Sequence, residues 1–258
     1  MTDIVRTKIS LSMGHRRKII DGDYPITDLG ILSSGEGGTN ICIYGPTNMG
    51  KTHLLKYLLY GWQLNKTFDY YFAFSGTSTE SSLAKVFDSR YISKDISPAN
   101  ILRFLKLAQA KHEKNKAIRG LVIFDDIGGN RKGLDYPSLS EFWNNSRHAG
   151  LTTIFCIQRH TLVPPDIRAQ VKVWFIFHVL GNESEMNFLC KNTCAGSQHE
   201  YRKQLISLGP TALQRRCLVS FTGFCPHNGL GGSGIGIMFF TAPALIPPFW
   251  IGPRTKSN

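Results

Sequence analysis

At 258 residues, with 30 Lys plus Arg against 18 Asp plus Glu and a formal charge of +12, the chain can bury a full core and is more basic than solubility requires. The charge points to a polyanionic partner: DNA, RNA or an anionic membrane. The amino terminus is polar and mixed rather than a secretory signal, and the six cysteines fit a reducing compartment, which excludes a disulfide framework.

Residues 1–37 read as an N-terminal extension joined to the rest by Ser33-Ser34-Gly35-Glu36-Gly37-Gly38. An α/β core is expected over 38–216. It begins with the apolar run Ile41-Cys42-Ile43-Tyr44, followed at once by Gly45-Pro46-Thr47-Asn48-Met49-Gly50-Lys51-Thr52, which is G-x-x-x-x-G-K-T. A strand entering such a loop and leaving as a helix, here His53 to Tyr60 with its apolar face, builds a nucleoside triphosphate site from backbone geometry. The glycines let main-chain N–H groups wrap the phosphates, and the start of the helix adds partial positive charge. In that reading Lys51 reaches the β- and γ-phosphates and Thr52 holds Mg²⁺.

Further elements follow in alternation. Phe68 to Phe74 is aromatic and strand-like, Ser75 to Ser82 a polar loop, and 98–117 a helix with Ile101, Phe104, Leu105 and Leu107 on its apolar side. Gly120-Leu121-Val122-Ile123-Phe124-Asp125-Asp126 reads as a buried parallel strand ending in two carboxylates. The carboxyl end of a strand is where α/β sheets place ligands. Asp125 there can organise Mg²⁺, and Asp126 can orient or deprotonate a water. The loop Gly128 to Gly133 carries Arg131 and Lys132, candidates for contact with DNA. A helix near 137–148, a strand Leu151 to Ile157 ending in Gln158, a Pro-rich turn and a strand Val171 to Phe177 complete the core. The alternation implies a mainly parallel sheet covered by helices.

Beyond it, 217–258 forms a Gly/Pro-rich extension in which no Asp, Glu, Lys or Arg occurs from Cys217 to Pro253. Its length would permit a membrane span, but Pro243, Pro247, Pro248 and the glycines argue against a spanning helix, so membrane association is not favoured. A packed strand with an apolar tail docking on a neighbouring subunit is the preferred expectation. Cys190, Cys194, His199, Cys217, Cys225 and His227 are zinc-ligand types, but their spacings match no standard zinc pattern, and structural thiols are the favoured reading.

The series of phosphate loop, Asp125-Asp126 strand, Arg147-His148, strand with Gln158 and Arg168-Ala169 resembles the poxvirus-type DNA-packaging ATPases, a viral branch of the FtsK–HerA superfamily of P-loop ring translocases. The similarity spans about residues 38–180, and Asn48-Met49 stand where many relatives have small residues. The resemblance implies a parallel sheet in the order 5-1-4-3-2 with helices on both faces, ATP bound between subunits, and a homo-oligomeric ring around double-stranded DNA. It implies a capsid or portal partner and action in the host cytoplasm, a viral factory or the virion. In residue terms, Lys51 and Thr52 would bind phosphate and Mg²⁺, Asp125 the metal's water shell, Asp126 the attacking water, and Gln158 would report the γ-phosphate. Arg147 and Arg168 are candidates for an arginine finger, and each could equally be an ion-pair residue or a DNA-backbone contact.

The function expected is ATP-driven translocation of viral DNA into a preformed capsid. Three rivals stand beside it: a cellular or mobile-element translocase or helicase on the same core, a nucleotide-binding assembly protein that does not hydrolyse ATP, and a small-molecule phosphotransferase, which the basic charge disfavours.

Overall fold

The computed structural model describes residues 38–76, 82–125, 136–159, 165–179, 182–194, 197–209, 215–221 and 236–252. Expectations for residues 1–37, Asp126, Arg131, Lys132, Cys225 and His227 lie outside them.

The centre of the molecule is set by two runs with no exposed position: Asn40–Tyr44 (β1) and Leu151–Ile157 (β5) are buried at every residue. A strand buried on both faces must lie inside a helix-covered sheet. The other strands are Tyr70–Ser75 (β2), Ile92–Ser93 (β3), Gly120–Asp125 (β4), Val173–Ile176 (β6), Arg216–Phe221 (β7) and Gly236–Thr241 (β8). They form one sheet in the order β3-β2-β4-β5-β1-β6-β7-β8. From β3 to β6 every pairing is parallel; β7 and β8 are antiparallel. The five core strands, β6-β1-β5-β4-β2, stand in the expected order. The sheet is larger than the expected core by β3 at one edge and, at the other, by the β7–β8 pair, where one packed strand was expected.

Helices cover both faces. Lys51–Leu64 (α1) lies on one face and buries Leu54, Leu55, Leu58, Leu59 and Trp62, a stripe at helical spacing. The opposite face carries Pro98–Lys114 (α2), Tyr136–Ser146 (α3), Pro165–Gln170 (α4), Glu183–Thr193 (α5) and Gln198–Ser207 (α6). Phe74, Phe124, Phe142, Trp143 and Phe155 pack there as an aromatic chain, with ring centroids 4.3–5.4 Å apart at successive contacts.

Two features depart from the sequence reading. Helices α5 and α6 stand between β6 and β7, where no element was expected. Their start signals are plain: the Asn182 side chain accepts from the N–H groups of Ser184 and Glu185, and Ser197 accepts from Glu200, three residues on. The uncharged stretch also behaves differently at its end. Residues 243–252 fold back along α1 of the same chain. The outer side of α1 carries aromatic rings that need cover: Tyr57 stacks with Phe240 at 5.7 Å and Tyr60 meets Phe249 at 5.8 Å. His53 Nε2 pairs with the Pro243 carbonyl at 2.6 Å, and the Gln63 amide donates to the Trp250 carbonyl. Ile251 is buried, its N–H donating to Val86 O and its carbonyl accepting from Asp88 N–H. Among the described residues, no helix is long and apolar enough to cross a membrane.

Candidate nucleotide site

The loop between β1 and α1 is shaped by three left-handed or close-packed positions. Gly50 has φ 99° and is the N-cap of α1, a conformation that costs a residue with a Cβ about 1–2 kcal/mol. A Cβ on Gly45 would lie 2.7 Å from Phe177 Cβ, so the loop's first glycine is required by close approach to the strand end beside it. Asn48 has φ 64°. Asn is the side-chain-bearing residue best suited to that region, so this departure from small residues is compatible with a tight loop. Met49 packs against the core on the α1 face.

The helix start is left open for an anion. Among the described residues no side chain caps α1 at Gly50, and its first turn holds no acid. Its leading N–H groups are therefore available to phosphate oxygens. Lys51 Nζ donates to the carbonyls of Gly45 and Pro46, each at 2.7 Å, which folds the ammonium back over the loop.

The sheet brings the acidic strand to the same place. Asp125 ends β4, and in register it stands opposite Cys156 of β5, which in turn stands opposite Ile43 of β1. Alternation puts Asp125 and Cys156 on the α1 face, the side on which Lys51 starts its helix. Burial, first, and then the Asp125 charge push the Cys156 thiol well above its ordinary pKa, while Lys51 acts in the opposite direction. Cys156 thus stays a thiol and shares a hydrogen bond with the Asp125 carboxylate. Ser75 of β2, fully buried, flanks Asp125 from the other side. Gln158 follows β5, next to the phosphate-loop strand, and its Oε1 accepts from the Thr47 hydroxyl at 3.0 Å.

Cys156, Ser75 and Phe177 belong to this site and were not foreseen. No motif names them; only the alignment of parallel strands makes them neighbours of Asp125 or of the loop.

The two arginines are placed differently. Arg147 is exposed, in the 3-10 turn Arg147–Ala149 that leads into β5. Arg168 is half-buried in α4, which leads into β6, and its guanidinium lies 5.0 Å from the Phe188 ring centroid. Both segments feed the amino ends of strands, whereas the phosphate loop leaves a carboxyl end. A seven-residue strand at ~3.3 Å per residue separates the two edges by about 23 Å, so Arg147 cannot touch the loop of its own chain.

The residues present fit a magnesium nucleotide. Lys51 and open helix N–H groups suit phosphate, and the Thr52 hydroxyl and Asp125 carboxylate are the hard oxygen donors that Mg²⁺ takes. Two of the zinc-type residues stand on opposite faces of the sheet: Cys190 packs on the face covered by α2 to α6 and Cys217 on the α1 face. Among the described residues, no group of three or more His, Cys, Asp or Glu could hold a metal ion.

Known proteins resemble this chain in sequence profile and in fold. The profile of the family described as Poxvirus A32 protein matches residues 36–219. Comparison with curated protein sequences gave no match. Among solved structures, the chain is similar to the genome packaging NTPase B204 from Sulfolobus turreted icosahedral virus 2 in complex with ATP-gammaS. The TM-score is 0.56 at 16% identity, covering 79% of this chain and 97% of that one. It is also similar to EssC (ATPases 2 and 3) from Geobacillus thermodenitrificans, with TM-score 0.53 and 14% identity over 82% of this chain and 41% of that one. A third is the cytoplasmic domain of the type VII secretion ATPase EccC from Thermomonospora curvata, with TM-score 0.51 and 13% identity over 80% of this chain and 25% of that one. At these identities the likeness is one of fold.

Proposed function

The chain belongs to the poxvirus A32 protein family, and from that premise we propose that it is an ATP-hydrolysing motor that moves double-stranded viral DNA into a preformed capsid. The observation that carries the reading is the convergence of the β1–α1 loop, Lys51, Asp125 and Gln158 at one end of three adjacent strands. The packaging NTPase whose fold it shares is known in complex with ATP-gammaS, which supports the same use of the loop here.

Phosphoryl transfer to water asks a protein mainly for positioning and charge neutralisation. Main-chain N–H groups from Thr47 to Thr52 cradle the phosphates. Lys51 exchanges its two carbonyl partners for β- and γ-oxygens. The Thr52 hydroxyl and the Asp125 carboxylate would hold Mg²⁺, which would supply charge neutralisation for the phosphates. Asp126 takes the proton of the attacking water. The Gln158 amide, tied to Thr47, relays the presence of the γ-phosphate into the loop. Arg147, and Arg168 if it leaves Phe188, act on a neighbour's nucleotide or on DNA. A ring of subunits around duplex DNA, a capsid or portal contact, and work in the host cytoplasm or viral factory complete the reading.

The deciding experiment is ATP hydrolysis with and without long duplex DNA, in the wild type, Lys51→Ala and Asp126→Asn. Stimulation by duplex, lost in both variants, is the expected result. Hydrolysis indifferent to DNA argues against a translocase. Tight ATP binding without hydrolysis argues for an assembly protein.

A further inference from the structure

The turns that lead into the amino ends of the parallel strands share one property. Lys66 precedes β2, Lys114, Lys116 and Arg119 precede β4, Arg147 precedes β5 and Lys172 precedes β6. All but Arg119 are exposed. Lys66, Lys114, Lys116, Arg147 and Lys172 have no ion-pair partner among the described residues. Acids near this edge among the described residues are Asp69, whose carboxylate already accepts from the Arg119 backbone N–H at 2.7 Å, Glu113 and, at the start of α6, Glu200. The opposite edge, where the phosphate loop sits, has Asp95, Asp125 and Glu183 among its cations. Among the described residues, the cations of the amino edge outnumber its acids.

Resting on the packaging reading above, we propose that this amino edge is the surface that binds the phosphate backbone of duplex DNA. The sheet order sets the geometry. From β2 to β6 there are four strand intervals, β2-β4-β5-β1-β6, and at ~4.8 Å each the row is about 19 Å long. At 3.4 Å of axis per phosphate on one strand, that is the length of about five phosphates. A single nucleotide needs its cations at one point, whereas a row of this length matches a linear polyanion. An anionic bilayer would need apolar anchors beside the charge, and at this edge one large apolar side chain, Leu64, is exposed among the described residues. Arg147, in the middle of the row, then serves as a backbone contact. The cations lie on turns fixed by a fully paired sheet, so they form a rigid rail.

The test is the salt dependence of binding to a long duplex by the full chain, measured by fluorescence anisotropy, for the wild type and K66Q/K114Q/K116Q/K172Q. The expected result is weaker binding and a log–log salt slope smaller by about 3–4, near 0.9 for each phosphate that the variant leaves unneutralised. Hydrolysis without DNA and the thermal midpoint stay as in the wild type. The quadruple Lys→Arg variant, which keeps the charges, should bind like the wild type, which separates loss of charge from misfolding. An unchanged slope in the Gln variant, with a wild type that does bind duplex, overturns the edge and leaves the packaging reading standing. A wild type that binds phosphatidylserine vesicles in preference to duplex overturns the edge in favour of a membrane surface. A wild type that binds neither overturns both the edge and the packaging reading.

Discussion

The Cys156 thiol and the Asp125 carboxylate face one another across adjacent parallel strands and share a hydrogen bond. Burial keeps the sulfur protonated, so the thiol donates and the acid accepts. A thiol is a weak donor, but its acceptor here is charged and its setting is dry, which strengthens the bond. The contact orients the acid to which the proposed function assigns Mg²⁺.

Cys156→Ala removes that donor. Turnover should fall about fivefold, the equivalent of roughly 1 kcal/mol for a hydrogen bond, with the Mg²⁺ concentration for half-maximal rate raised and ATP binding little changed. Cys156→Ser keeps an O–H and should recover part of the rate. Steady-state kinetics over a Mg²⁺ series checks both; equal rates in all three proteins would show that Asp125 is held by other contacts.

The loop glycines should separate stability from binding. Gly50→Ala meets only the Phe177 ring, at 3.4 and 3.9 Å, so its cost is the backbone at φ 99°, about 1–2 kcal/mol. Gly45→Ala adds a 2.7 Å contact with Phe177 Cβ and should cost more, up to about 3 kcal/mol. Both should lose binding of a fluorescent ATP analogue, and denaturant titration should rank Gly45→Ala as the less stable.

Arg147 and Arg168 should fail in different ways. Arg168 stacks on Phe188 of its own chain, so Arg168→Ala should lower stability by about 1 kcal/mol, measured by thermal unfolding. Arg147 is exposed, and Arg147→Ala should leave the thermal midpoint unchanged while weakening duplex binding. A stability loss at Arg147 of the same size would contradict its placement.

The Asp88 carboxyl is pulled down from 3.8 to about 2, first by the hydrogen bond from the Arg90 side chain and then by the Arg90 backbone N–H. Its folded pKa lies below its unfolded one, so its contribution to stability is present above pH 3.8 and lost as the pH falls through about 2. Asp88→Asn should therefore unfold at a lower temperature than the wild type at neutral pH, and the gap should close over that acid window. Ile251, which Asp88 ties down through its backbone N–H, gives a pH-independent comparison: Ile251→Ala should cost about 2–5 kcal/mol in urea titration.

Much of the site was legible because it is local. Gly45 to Thr52 sits in eight consecutive residues, and Leu121 to Asp125 declares a buried strand by its own run of apolar side chains. The neighbourhood of Asp125 was not legible. Cys156 lies 31 positions further along, and only the register of β4 with β5 makes them partners. The same holds for β7 and β8: 217–258 reads as one packed strand with an apolar tail, and only the register of β6 with β7 and of β7 with β8 makes two strands of it. Helices α5 and α6 are the opposite case. Ser197 with Glu200 and Asn182 with Glu185 are local capping signals, but the segment's weak apolar patterning hides them.

The segment laid along α1 has a mechanical consequence. His53, Tyr60 and Gln63 take hold of it along the helix, so a tilt of the helix about the phosphate loop would carry the segment with it. Fourteen residues at ~1.5 Å each make an arm of about 21 Å. A tilt of about 10° at the loop would carry Trp250 some 3–4 Å, by the length of that arm. The indole N–H of Trp250 is buried without a partner among the described residues, so the tryptophan sits where a small displacement changes its surroundings. Its fluorescence is a gauge, at the far end of the molecule, of what happens at Lys51.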